Sequence, residues 1–195
     1  MPPPGLFPFR FVIPYEGATH PVTKFLLALH VLAAIVAVGP VTVAASMFPP
    51  GARRAIAAPG DPQALSSVRL LHRICRVYAG VGLAVIVFGF ATAASMGVLT
   101  DAWLITSIAL TVAAAAVLIV LVLPGQETIL ADLEAATATA TTPAPAPAPA
   151  TDLVTEPTQK PKVTAQLAMY TGIFNLLWAT VTVLMIVRPG STTGA

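Results

Sequence analysis

The sequence predicts an all-α membrane protein, a bundle of four transmembrane helices with a long Pro/Ala-rich loop between the third and the fourth. Three observations predict it. Of 195 residues, 56% are hydrophobic and only 9% are charged, against roughly 25% charged in a soluble domain. So few charges cannot build a water-facing surface. Four apolar stretches also reach the length of about 20 residues that a helix needs to cross a hydrocarbon core of about 30 Å. Finally, no Asp, Glu, Lys or Arg falls in the middle of any of them, as expected where a charge at mid-membrane costs several kcal/mol.

The first span is expected from about Phe25 to Met47. Pro49-Pro50-Gly51 should end it, because proline has no amide proton to continue the ladder. The second runs from about Arg69 to Val98, with its charges at the start. The third runs from about Ala102 to Leu123. Asp101 stands where its carboxylate can accept from amides of the first turn, and Pro124-Gly125 should end or break the helix. The fourth runs from about Val163 to Val187 and closes at Arg188-Pro189-Gly190. Residues 1–24 read as a tail rich in proline and aromatics (Phe7, Phe9, Phe11, Tyr15), without the basic start and short apolar core of a secretory signal. Residues 124–162 divide into a short amphipathic helix, Glu127 to Ala136, with Ile129, Leu130 and Leu133 on one side, and a low-complexity spacer. That spacer carries Pro143, Pro145, Pro147 and Pro149 and should be extended polyproline-like chain at about 3.1 Å per residue. It is a linker, or a strap across a partner. Residues 188–195 form a short C-terminal tail.

Basic residues near the spans set orientation. Arg10, Lys24 and Arg188 lie on the side of the termini; Arg53, Arg54, Arg69, Arg73, Arg76, Lys160 and Lys162 lie on the other. Seven against three places both termini outside and the two long loops in the cytoplasm of a bacterial cell. Arg outnumbers Lys seven to three, and Ala, Pro, Gly and Val dominate, the usage of a GC-rich genome such as an actinobacterium's.

Several functions are excluded by what is missing. The formal net charge of +2 and a single cysteine, Cys75, argue against nucleic acid as a partner, an internal disulfide framework and a cysteine-based zinc site. No phosphate-binding glycine loop with lysine, HExxH, CxxC or nucleophile elbow is present. No carboxylate pair is placed for acid–base work. The chain therefore reads as a non-enzyme.

The remaining candidates are few. His30 lies one to two turns inside the first helix, where an imidazole either ligates haem iron or another metal or bonds to a neighbouring helix. His72 sits near the opposite face of the membrane, about 20 Å away in depth, so one iron cannot take both; His20 lies in a Pro-flanked segment. Arg69, Arg73 and Arg76 share a helical face, and with Arg53 and Arg54 they form a basic rim. That rim can clamp anionic lipid headgroups, pair with acids of other membrane subunits, or simply set topology. Gly39-Pro40 should kink the first helix, as a hinge or as a static bend. Small residues, Gly80, Gly82 and Gly89 among them, should permit close helix approach, and Asn175 should find an interhelical hydrogen bond. Trp103 and Tyr170 suit the interfacial belts; Trp178 should pack against a neighbour.

The first span, Lys24 to Pro40 with Leu29-His30 and Gly39-Pro40, resembles the opening helix of an uncharacterised family of bacterial four-helix integral membrane proteins. The layout from Gly89 to Trp103 and the ending Leu184 to Gly190 resemble that family too. The same pattern is distantly similar to copper-resistance D proteins and to membrane haem-biosynthesis oxidases. The first resemblance implies topology and no activity; the distant ones imply a haem or metal role for His30. The leading expectation is an accessory subunit that stabilises a larger envelope complex, for lipid transport or respiration. The alternatives are a haem- or metal-binding redox protein using His30 and a small lipid-handling transporter.

Overall fold

A computed structural model describes residues 21–141 and 160–190. The N-terminal aromatics with His20, the Pro/Ala-rich run and residues 191–195 lie outside the described residues. Within these, the protein is all-helical, and four helices are long and apolar enough to span a membrane. Helix α1 is Pro21–Ala57, α2 is Pro62–Met96, and α3 is Ala102–Ala116. A π-helical segment, Val117–Val122, joins α3 without a break to α4, Leu123–Thr141, and α5 is Lys160–Val187.

The helices are longer than expected. At about 1.5 Å per residue, the 37 residues of α1 extend about 55 Å, well beyond a hydrocarbon core. The excess lies at one end. There the late part of α1, the early part of α2 and all of α4 form a helical cap, where loops and one short helix were expected.

Three expected boundaries are therefore corrected. Pro49-Pro50-Gly51 does not end α1, which runs to Ala57. Two backbone bonds are lost, but Phe48, Pro49, Ala52 and Ala55 are buried in the core, and tertiary packing outweighs local propensity. Helix α2 starts seven residues before Arg69. The Asp61 carboxylate accepts from the Gln63 amide at 2.9 Å, and Pro62 fills the first position, a start that proline's fixed φ favours. The first long loop is thus a four-residue turn, 58–61, in which Gly60 takes a left-handed φ of 88°. Helix α2 ends at Met96 on Gly97, also left-handed at 70°.

Pro124-Gly125 does not break the third span either, and the π segment is the reason. Pro124 cannot donate to the carbonyl four residues back. Just ahead of it the ladder slips, and the Leu123 amide donates to Leu118, five residues back. A π turn inside an α-helix accommodates such a residue and shifts the faces that follow. Thus α3 packs on α5, whereas α4 packs on α2 and also meets α1. The short helix expected at Glu127–Ala136 is part of this α4, with Ile129 and Leu133 buried and Leu130 half-buried; it runs on through Thr141, so the first residues expected in the extended spacer are helical.

One continuous core runs through the cap and the adjoining half of the bundle, including Val41, Phe48, Val68, Val122, Leu133 and Phe174. Toward the termini a second, smaller cluster of Ala93, Trp103 and Leu104 is buried, and Val85, Thr92, Ser107 and Val181 are buried there as well. The helices there expose large apolar side chains such as Leu32, Ile35, Leu83, Phe90 and Val183, the surface that lipid covers in a membrane protein.

Candidate functional site

The polar features that survive folding gather at the junction between bundle and cap. Along the outer face of α2, Ser66, Arg69, Leu70, His72, Arg73 and Arg76 line an open groove of about 350 Å³. Their spacing of three and four residues puts them on one helical stripe. Helix α4 flanks this stripe. The Arg69 guanidinium donates to Glu134 through Nε at 2.8 Å and Nη2 at 2.7 Å. Both side chains are about half exposed, 55% and 44%, so the pair should contribute only about 0–1 kcal/mol. Replacing Glu134 by Gln is accordingly expected to leave thermal stability within about 1 kcal/mol of wild type; a larger loss in a melting curve would mean that the pair anchors α4.

His72 is held more firmly. Its Nδ1–H donates to Gln126 Oε1 at 3.2 Å, and Gln126 Nε2 donates to Cys75 Sγ at 3.5 Å. Gln126 and Cys75 are both fully buried. A buried amide with one bonded end left open would be costly, so this pairing orients the imidazole. Gln126, Cys75 and Glu134 are functional candidates that sequence reasoning missed. A signal existed: if the helix continues past Pro124, then Gln126, Ile129 and Leu133 fall on one face at i, i+3 and i+7.

A second polar group lies at the same junction. Asn175 Nδ2 donates to Ser46 Oγ at 3.0 Å, joining α5 to α1, the kind of interhelical bond expected of a buried amide. Asn175 Oδ1 and Thr171 Oγ1 are buried with no protein partner. One turn along α1, Pro49 and Pro50 leave the Ser46 carbonyl without an amide donor at either i+3 or i+4. Polar groups of this kind are tolerated where ordered water or a neighbouring helix satisfies them.

His30 sits elsewhere, toward the termini. Its Nδ1–H donates to the Val85 carbonyl of α2 at 2.9 Å. A Cβ at Gly89 would lie 2.8 Å from His30 Cε1 and 3.0 Å from Nδ1. Gly89 is thus the small residue that lets α1 and α2 meet here. Gly80 and Gly82 do not share that role: a Cβ at either meets nothing within 4 Å, because both face outward. Gly39 is equally open, and α1 continues through Gly39-Pro40 unbroken. His72 lies 13 residues before Val85 on α2, a helical rise of about 20 Å, so the two histidines occupy different depths. Among the described residues no three His, Cys, Asp or Glu side chains form a metal-binding group.

At the end nearest the termini, Asp101 precedes α3 but makes no side-chain cap. Its carboxylate instead accepts from Trp103 Nε1 at 3.0 Å, because the indole competes for it. Arg188 takes a left-handed φ of 44° to stop α5, and its guanidinium lies 5.7 Å from the Trp103 ring centre. That cation–π contact accompanies a strained conformation for a non-glycine residue. Trp178 meets Phe174 edge-on at 6.5 Å and packs against the core.

Comparison with protein-family models, with curated proteins and with solved structures finds no match to this chain.

Proposed function

We propose that this chain is a non-enzymatic, multi-pass subunit of the bacterial cytoplasmic membrane that binds and stabilises a larger envelope assembly, of the lipid-transport or respiratory kind. The observation that supports this most is the cap. It is helical and shares a core with the bundle. Arg53, Arg54, Arg69, Arg73 and Arg76 are all exposed on it. Among the described residues, only Arg69 of these five forms an ion pair. A packed, charged platform of this kind suits docking against partner subunits and anionic headgroups. In this reading the cap faces the cytoplasm, because basic residues concentrate on that side, and both termini lie outside.

The test is extraction of the tagged full chain from its native membrane in mild detergent. Partner proteins should co-purify in fixed stoichiometry, and substituting Arg53, Arg54, Arg73 and Arg76 by Gln should release them. Recovery of a free, stable monomer with no partner would overturn the reading.

One observation favours a second reading, a haem or metal role for His30. With Nδ1–H donated to a carbonyl, Nε2 keeps its lone pair, as in ligating histidines. A Soret band in the purified protein, lost in His30→Ala, would support it. The packing against Gly89 already accounts for His30 without a cofactor.

A further inference from the structure

The groove on α2 has more than a row of arginines. We infer that it binds the phosphate of a phospholipid headgroup, with Arg73, Arg76 and the free Nη1 of Arg69 as cationic donors beside His72, whose ring Gln126 positions. The inference rests on the reading that this end of the bundle meets the anionic face of the membrane, and it names one site and one ligand there.

Four observations carry it. The first is the donor set. Arg69, Arg73 and Arg76 occupy one stripe, and among the described residues only Glu134 offsets them, through two of the Arg69 nitrogens. Guanidinium groups bind phosphate oxygens by paired N–H donors. The second is the fixed imidazole. Gln126, fully buried, engages Nδ1 and is itself tied to Cys75, so the ring that lines the groove is held in place. The third is depth. On α2 the exposed apolar surface gives way to arginine within this segment: Leu70 is 58% exposed and Val77 54%, one inside the groove and one beside Arg76. A headgroup phosphate held by Arg73 and Arg76 would leave acyl chains against Val77 and the exposed apolar surface beyond it toward the bundle. Free phosphate would make no use of them. The fourth is the groove itself, about 350 Å³, open and mostly apolar in its lining, which suits the chain-bearing part of a lipid headgroup better than free phosphate.

The test is a titration of phosphatidic acid into the purified full chain, followed by native mass spectrometry, with inorganic phosphate alone in a parallel series. One lipid should be retained at saturation. Removing Arg73 and Arg76 together by Gln substitution should weaken retention about 25-fold, about fivefold per charge. The same two-charge removal at Arg53 and Arg54 should weaken it less than about threefold. Equal losses from the two arginine pairs would overturn the inference by showing diffuse attraction to the whole rim. Saturable inorganic phosphate binding without lipid retention would overturn the lipid source. Neither result touches the subunit reading, which fails only if the extracted chain proves to be alone.

Discussion

Replacing Phe48 by alanine is expected to destabilise the folded protein by about 3–5 kcal/mol, the range for a large aromatic removed from a packed site. Phe48 is fully buried in the core that joins bundle and cap, between the Ser46–Asn175 bond and the buried Pro49. The loss should appear as a lower midpoint in reversible SDS titration of the protein in mixed micelles. The neighbouring Met47 is 55% exposed and provides the control, since Met47→Ala should change the midpoint by less than about 0.5 kcal/mol, as at other exposed positions. A Phe48→Ala cost under about 1 kcal/mol would mean that bundle and cap are not one cooperative unit.

The second large effect is expected at Gly89. A Cβ there would lie 2.8 Å from the His30 ring, closer than side-chain carbons approach, so Gly89→Val must push the imidazole aside. The His30–Val85 bond is then lost inside the bilayer. Overpacking costs about 1–3 kcal/mol, and an orphaned buried donor about as much again. The direct check is a double-mutant cycle in which His30→Ala removes the obstacle and recovers at least about 1 kcal/mol of the Gly89→Val loss. Gly82→Ala serves as the contrast: it meets open space and should be neutral or favourable by up to about 1 kcal/mol, the difference in helix propensity. Equal tolerance of alanine at Gly82 and Gly89 would refute the contact.

These two positions show what one-dimensional reasoning reads and what it misses. Both glycines sit in the same apolar stretch with the same small-residue signature. Only the rotation of α2 against α1 decides which one carries the neighbour. Asn175 was legible because an amide in lipid has a single good option, an interhelical partner. Gln126 was not, because Pro124-Gly125 reads as a stop, and a residue after a stop reads as loop. The same error shortened α1 at Pro49-Pro50.

The sequence alone determined the solvent and the scale of this protein. Four long apolar runs with their charges at the ends can satisfy their backbone in a bilayer only as helices, and that follows from composition and spacing without any contact. The tertiary structure decided where those helices stop, how the π segment redirects α4, and which polar side chains meet. A proline removes one or two hydrogen bonds, a loss of a few kcal/mol that local rules treat as final. The burial of Phe48, Pro49, Ala52 and Ala55 on one helix, and of Gln126, Ile129 and Leu133 on the other, offsets that loss through neighbours distant in sequence. The cap, the groove on α2 and the Gln126-held His72 follow from that offset.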